Sequence, residues 1–177
     1  MRTVTRATGS TLYELDGKSA LQLYRDYLGE QAAELPSSAL RFPLSVTPAA
    51  SEQTVVRTIV SIDDTAQSMV FAGDIPMDAR VRFMRASYED LIDGAGQAAE
   101  QCRGDADPEL VVCVSCVGRR IVLGQRTEEE TESVRAAVGQ AAFLTGFYPY
   151  GELAPSGASA VCHLHNQTMC VTGLREV

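Results

Sequence analysis

The chain lacks the features that mark membrane-spanning and nucleic-acid-binding proteins. No apolar run approaches the roughly 20 residues that a helix needs to span a bilayer, and residues 1–6 lack the apolar stretch of a signal peptide. Lys and Arg number 15 against 23 Asp and Glu, a balance of −8 that repels phosphate backbones. We therefore expect a cytoplasmic protein that binds neither nucleic acid nor membranes.

Histidine and tryptophan are scarce as well, with two histidines and no tryptophan. The five cysteines form an odd set without the spacing of a small secreted domain, which favours free thiols in a reducing compartment. Cys113 and Cys116 have a redox-type spacing, but they lie in an apolar predicted strand, whereas thioredoxin-like sites begin a helix. The C-terminal cysteines and histidines match no closed structural-zinc pattern. The sequence therefore predicts no metal site and no cofactor.

The composition that is present is ordinary for a globular protein. Of the 177 residues, 45% are apolar and 21% are charged, which is sufficient for one domain with a sizeable core. We expect a single domain over residues 1–177, with an approach segment at residues 1–10. Residues 36–52 are rich in Pro, Ser and Ala and predict an irregular connection, with at most an edge strand between Phe42 and Val46.

Local patterns predict short strands and amphipathic helices. Three β-branched or alternating segments, at 55–62, 68–71 and 80–85, suggest an antiparallel meander. Ser87 with Asp90 resembles a capping box in front of the most regular helical stripe. This mixture predicts an α+β fold, with a mixed, largely antiparallel sheet and about three helices packed on it. The other predicted elements are strands at 11–15, 110–117, 143–150 and 160–173, and helices at 20–28 and from 127 onwards.

Two arginines follow the most apolar segment. Residues 110–117 are apolar on both faces, as in a central strand that is covered on both sides. Arg119 and Arg120 come next, and a guanidinium at the end of a strand can bind a carboxylate or phosphate through two hydrogen bonds. Alternatively, both arginines pair in solvent with the acidic run from Glu128 to Glu130. Because adjacent strand residues point to opposite faces, at most one arginine is expected to face a shared pocket.

The C-terminal part places polar side chains where a purely structural strand would rarely have them. Alternation puts His163, His165 and Gln167 on one face of a predicted strand, and Asn166 and Thr168 on the other. Each of these groups, if buried, needs a partner or costs about 1–3 kcal/mol. The strand is therefore either a solvated edge or part of a polar network.

A turn before this strand combines phenols with a carboxylate. Tyr148, Tyr150 and Glu152 lie in a segment whose glycine permits a tight turn, and their side chains can offer hydrogen bonds to a polar ligand. The alternative is a folding turn whose tyrosines half-cover the core.

Four blocks of the sequence, in this order and spacing, resemble the FIST family, named for F-box and intracellular signal transduction proteins, and specifically its C-terminal domain. The blocks are residues 13–29, 115–120, 146–155 and 165–169. The resemblance implies a sensory module that binds small ligands such as amino acids and is joined to signal-transduction domains. It also implies that the chain is a fragment that lacks the N-terminal FIST half. The implied partners are a small polar molecule such as an amino acid, that N-terminal half, and a downstream signalling domain or protein.

Motif position and side-chain chemistry together give a candidate ligand site. We expect Arg119 to pair with a ligand carboxylate and Glu152 with its amine, while the tyrosines and His165 close the rest of the pocket. Two alternatives remain open: a hydrolase or transferase with Cys116 or Cys162 as nucleophile and His165 as base, and a non-catalytic protein-interaction scaffold. The resemblance supplies no catalytic residues, so we expect a binding module rather than an enzyme. The candidate site consists of Arg119, Tyr148, Tyr150, Glu152, His165, Asn166 and Thr168.

Overall fold

The chain folds into two compact units. The computed structural model describes residues 1–51, 53–103, 107–155 and 161–176. No helix within these ranges is both long and apolar enough to cross a membrane. The first unit contains Met1–Arg85 and Pro155–Asn166, and the second contains Ala86–Ala154 and Gln167–Val177.

The first unit is built on an antiparallel sheet. Its strands are β1 (Arg2–Thr8), β2 (Thr11–Leu15), β3 (Lys18–Ser19), β4 (Leu44–Thr47), β5 (Val55–Arg57), β6 (Ile59–Asp63), β7 (Ser68–Phe71) and β8 (Arg80–Phe83). Across the sheet they follow the order β5-β4-β8-β1-β2-β7-β6, and β3 pairs with β2. All of these pairings are antiparallel.

Helix α1 (Ala20–Leu28) packs on this sheet and confirms the helix predicted there. The Ser19 hydroxyl accepts a hydrogen bond from the Gln22 amide at 3.2 Å and so caps the first turn. Tyr24 is fully buried, and its hydroxyl donates to the carbonyl of Phe42 at 2.8 Å. The phenol therefore enters the core without losing its hydrogen bond. Two short 3-10 helices follow, at Gly29–Glu34 and Ser37–Arg41.

Two expectations for this unit are wrong. Residues 1–10, expected to be an approach segment, contain β1, which pairs with β2 and β8 inside the sheet. Residues 36–52 contain β4, which is buried along its length between β5 and β8 and is not an edge strand; residue 52 lies outside the described residues. The sequence of β1 gave no signal because only Val4 among its seven residues is buried.

The predicted meander is correct for one hairpin and wrong for its third strand. β6 and β7 pair as expected, but β8 pairs with β1 and β4 instead of β7. The predicted strand at 55–62 is interrupted after Arg57, whose buried guanidinium donates to the carbonyl oxygens of Asp74 at 3.1 Å and Leu164 at 2.9 Å. These contacts join segments far apart in sequence, which is why local alternation could not predict them.

The second unit has a three-stranded mixed sheet with helices on one face. Its helices are α2 (Tyr88–Cys102), α3 (Val117–Leu123) and α4 (Thr127–Val138), and its sheet strands are β9 (Leu110–Ser115), β10 (Phe143–Phe147) and β13 (Met169–Leu174). β9 is central, with β10 parallel and β13 antiparallel to it. The core contains Val111 of β9 with Ala95 and Ala99 of α2 and Val134 and Val138 of α4. The remaining strands of the chain are β11 (Glu152–Pro155) and β12 (Cys162–His165).

The α+β fold with mixed, largely antiparallel strands confirms the predicted fold class, and details of the strands differ. Val111 is buried under the helices, but Val112 and Val114 on the opposite face of β9 are only half-buried, so burial on both faces was wrong. β9 ends at Ser115 and α3 begins at Val117. The strand predicted across the two histidines is divided in two by a turn at Gln167, whose φ is 54°.

Candidate functional site

The carboxyl ends of two parallel strands meet at one edge of the sheet in the second unit. β9 ends at Ser115 and β10 ends at Phe147, and β13 begins at Met169 directly opposite Ser115. In open α/β sheets, ligands bind outside the carboxyl ends of the parallel strands. The candidate residues that this unit places at or after these strand ends are Arg119, Tyr148, Tyr150, Glu152 and Thr168.

Arg119 lies on helix α3, not at the end of a strand as predicted, and its side chain points into the protein. Its Nε is 2.6 Å from Glu130 Oε2, and its Nη2 donates to the carbonyl of Leu91 at 2.6 Å. The two paired side chains are 5% and 0% exposed. The guanidinium is thus held between α2 and α4, where a charge-assisted hydrogen bond is at its strongest.

Glu130 is the centre of a buried network that the sequence did not reveal. Besides Arg119, it accepts a hydrogen bond from the Ser115 hydroxyl at 2.9 Å and a longer one from the Tyr148 hydroxyl at 3.5 Å. Burial and the negative charge of Glu130 raise the pKa of Tyr148, so the phenol stays protonated. Both oxygens of this carboxylate therefore have donors, and the network links β9, α3, α4 and the turn after β10.

Glu152 is a second buried carboxyl group with a different environment. The residue is 4% exposed, and its Oε1 accepts a hydrogen bond from the Thr168 hydroxyl at 2.9 Å. Its Oε2 is buried and has no hydrogen-bond partner among the residues that the structure describes. Burial raises the pKa of Glu152 to about 7, against the opposing effects of hydrogen bonds from the Thr168 hydroxyl, the Thr168 amide and the Cys116 amide and of the Arg119 charge. A carboxyl group with this pKa changes its charge near neutral pH.

Cys116 lies beside Glu152 at the start of α3. Its amide donates to the carbonyl of Thr168 at 3.0 Å, and its thiol lies 3.9 Å from the carbonyl of Tyr150. The thiol is buried, and burial raises its pKa, which lowers the fraction of the reactive thiolate. We call Glu152, Thr168 and Cys116 the Glu152 cluster.

Tyr148 lines two adjoining cavities on the surface of the second unit, of about 430 Å³ and about 510 Å³, which share Thr131 and Tyr148. The first cavity lies along β10 and α4, and its lining includes Ser115 and Arg135. In the second cavity, the Arg120 guanidinium lies over the Tyr148 ring at 5.2 Å from its centroid. Of the two adjacent arginines, Arg120 lines a cavity while Arg119 is buried. We call these two cavities the Tyr148 groove.

The other three candidate residues are Tyr150, whose carbonyl oxygen lies 3.9 Å from the Cys116 thiol, and the neighbours His165 and Asn166. Tyr150 is 91% exposed. His165 and Asn166 belong to the first unit and are buried there, at 7% and 1% exposure. The Asn166 amide nitrogen donates to the carbonyl of His165 at 3.0 Å, and its oxygen accepts from the Thr58 amide at 3.4 Å. This part of the polar strand is thus a buried network and not a solvated edge.

The cysteine and histidine pairs proposed for catalysis find little support in these positions. Cys162 is exposed whereas His165 is buried, and residues three apart on a strand point to opposite faces. Cys113, the other member of the redox-type spacing, has a pKa raised to about 11 by burial. The part of the chain that the structure covers contains no group of three or more His, Cys, Asp or Glu side chains that could hold a metal ion.

Sequence reasoning missed the three residues that organise this region. Glu130 was predicted as part of an acidic run that pairs with the arginines in solvent, and its pair with Arg119 is instead buried. Ser115 was predicted only as part of an apolar strand, and Arg135 was not considered. The available signal was a lone serine at the end of an apolar strand, since a buried hydroxyl needs a partner.

A family model described as the FIST C domain matches residues 20–155, which is most of the chain. Comparison with curated proteins and with solved structures gives no match. The matched range includes most of three of the four blocks on which the resemblance was based, and residues 165–169 lie beyond it.

Proposed function

Since the chain belongs to the FIST C domain family, a family of sensory and signal-transduction domains, we propose that it binds a small polar ligand at the Glu152 cluster. The observation that carries this proposal is the buried Oε2 of Glu152, which has no hydrogen-bond partner among the described residues. An unsatisfied buried acceptor costs about 1–3 kcal/mol, and more if it is charged. Such a group persists where a ligand supplies the missing donor.

The chemistry of Glu152 favours a ligand that carries an amine or another N–H donor. An ammonium group would stabilise the ionised carboxylate, and Thr168 already fixes the other oxygen. An amino acid is such a ligand and remains the class that we propose. Because burial raises the pKa of Glu152 to about 7, binding of a cation should strengthen as the pH rises through that value.

Arg119 has a different role in this proposal from the one the sequence suggested. Its guanidinium is bound by Glu130 and by the carbonyl of Leu91, so we propose that it positions the strand ends and leaves the ligand carboxylate to other donors. Tyr148 shares the Glu130 network and lines the Tyr148 groove. Contributions from Tyr150, His165 and Asn166 remain predictions.

Ligand binding would act by shifting the population of conformations that an output domain recognises. The N-terminal FIST half and a downstream signalling partner are part of the same proposal. Coupling of this kind requires the ligand to bind one conformation more tightly than the other.

A thermal-shift screen against amino acids and small carboxylates tests the ligand site. A ligand at about 100 times its dissociation constant adds about 2.7 kcal/mol of stability, or roughly 5–10 °C for a chain of this size. We expect hits to disappear in Glu152→Gln and to persist in Glu128→Gln, which removes a carboxylate from an exposed position. A hit that persists in both variants would place the ligand elsewhere, and its retention in Glu152→Gln would contradict the proposal.

A further inference from the structure

Strand β10 is an open edge of the sheet in the second unit. It pairs with β9 on one side, and no other described strand of that sheet pairs with it. Natural edges are usually protected by Lys, Pro or a bulge, but residues 139–151 contain no charged side chain, and β10 itself contains no proline. Phe143 and Phe147 are 69% and 61% exposed. The edge is thus apolar and available for pairing.

The backbone of β10 shows which groups are available. The Phe143 amide donates to the carbonyl of Glu109 at 2.7 Å, towards β9. Since a strand directs the polar groups of alternate residues to opposite sides, residues 143, 145 and 147 bond to β9. From this alternation we infer that the N–H and C=O groups of Leu144 and Gly146 point outward from the sheet.

We propose that two copies of this chain pair their β10 strands antiparallel about a two-fold axis at Thr145, forming one six-stranded sheet. In this register Leu144 lies opposite the second copy's Gly146, so the outward-pointing groups of both strands bond to each other. Phe143 lies opposite the second copy's Phe147, and Thr145 lies opposite its own equivalent. Side chains are closest in such non-hydrogen-bonded positions, where aromatic cross-strand pairs stabilise a sheet. The strand is thus self-complementary, as a two-fold interface requires.

The charges beside β10 are complementary in the same arrangement. Arg135 donates to the carbonyl of Ala142 at the start of β10, and Glu128 lines a cavity with Tyr148 just after its end. Antiparallel pairing places Arg135 of each copy at the same level along the strand direction as the second copy's Glu128. Opposite charges then face each other on both sides of the axis, whereas the net charge of −8 disfavours association through most other surfaces.

The area available sets the expected strength. An aromatic side chain has about 200 Å² of surface, so the exposed parts of Phe143 and Phe147 amount to about 260 Å² in each copy. The strand edge and the neighbouring α4 side chains bring this to roughly 500 Å², below the about 800 Å² per partner of a standard interface. We therefore expect a concentration-dependent dimer in the micromolar range.

Sedimentation equilibrium from about 5 to 500 µM measures this association directly. We expect the mass to rise from 19.0 kDa towards twice that value, and Thr145→Lys to weaken the dimer at least about tenfold because two like charges meet at the axis. The matched control is Thr172→Lys, an exposed threonine on the same sheet face but on β13. Equal losses in both variants would indicate face-to-face packing and overturn the proposal.

A disulfide trap tests the register. Thr145→Cys should form an intermolecular disulfide under mild oxidation, because directly opposed residues of this type have Cα atoms about 4.5 Å apart. Wild-type protein and Thr172→Cys serve as controls for the five native cysteines. A protein that remains at 19.0 kDa at the highest concentration and gives no additional cross-link in Thr145→Cys would refute the pairing.

Discussion

Replacing Glu152 with glutamine tests the energetic meaning of its buried carboxyl group. Glutamine keeps an oxygen that can accept the Thr168 hydrogen bond, has nearly the same shape, and cannot ionise. The variant therefore isolates the effect of the charge. Because Glu152 is 4% exposed, solvent does little to screen that effect.

The size and sign of the effect follow from the pKa. Burial raises the pKa of Glu152 from its ordinary value of 4.5 to about 7, a difference that corresponds to about 3 kcal/mol. The folded state prefers the protonated form, so this contribution to stability is fully present below pH 4.5 and is lost as the pH rises towards about 7. The amide nitrogen of glutamine would lack a hydrogen-bond partner, and this cost would offset about 1 kcal/mol of the stability gained by removing the charge. We expect Glu152→Gln to be more stable than wild type by about 2 kcal/mol at pH 8.

Urea unfolding of both proteins between pH 5 and pH 8 provides the measurement. The difference in the free energy of unfolding should shrink by about 2 kcal/mol towards pH 5, where the wild-type carboxyl group is protonated. Other titrating groups are common to both proteins and cancel. Glu128→Gln, at an exposed position, should show no comparable pH dependence. A difference between Glu152→Gln and wild type that stays constant across this range would refute the assignment of a perturbed carboxyl group.

Three further experiments test other parts of the structure. Arg119→Ala should destabilise the chain by about 3–5 kcal/mol in chemical denaturation, since it leaves Glu130 charged and buried without its main partner; a loss below about 1 kcal/mol would contradict the buried pair. Gly146→Ala should destabilise the chain by more than about 2 kcal/mol, because the new Cβ would meet a backbone oxygen of β9. Gly94→Ala has open space around the new Cβ in α2 and should stabilise the chain by about 0.5–1 kcal/mol. Equal effects of the two substitutions would be inconsistent with this packing. Iodoacetamide followed by peptide mass mapping should modify Cys162 first, because it is the exposed cysteine, but only at the rate of an ordinary unactivated thiol. Labelling of Cys162 far above that rate, or faster labelling of Cys116, would revive the nucleophile hypothesis.

Local sequence signals predicted the elements whose determinants are themselves local. The apolar stripe after Ser87 predicted a helix, and α2 lies there. The hydroxyl of Ser87 accepts a hydrogen bond from the Asp90 amide at 3.0 Å, as the capping-box pattern predicted. The strand at 68–71 was also correct. Strand β1 escaped detection because its exposed polar side chains follow no apolar period, and its place in the sheet depends on pairing with β8, far away in sequence.

The candidate site was predictable as a list of chemical groups and not as an arrangement. Polar residues near Glu152 were singled out because such groups are costly in a core. The acidic run that includes Glu130 was considered as a partner of Arg119 in solvent. The buried position of this pair was not predictable, since it requires Arg119 to lie on a helix. A strand would have turned the same guanidinium towards solvent or towards a ligand. One error in secondary structure thus changed the expected role of the residue.

The contrast between two buried glutamates explains where a ligand is most needed. Glu130 has donors on both oxygens, from Arg119, Ser115 and Tyr148, and needs no further donor from outside the protein. Glu152 has a donor on one oxygen only within the described residues. Replacing the whole Glu130 network with apolar residues could be nearly neutral for stability. An external donor at Glu152 would instead satisfy a group that the fold leaves incomplete, which is why the binding hypothesis is centred on this residue and not on the stronger ion pair beside it.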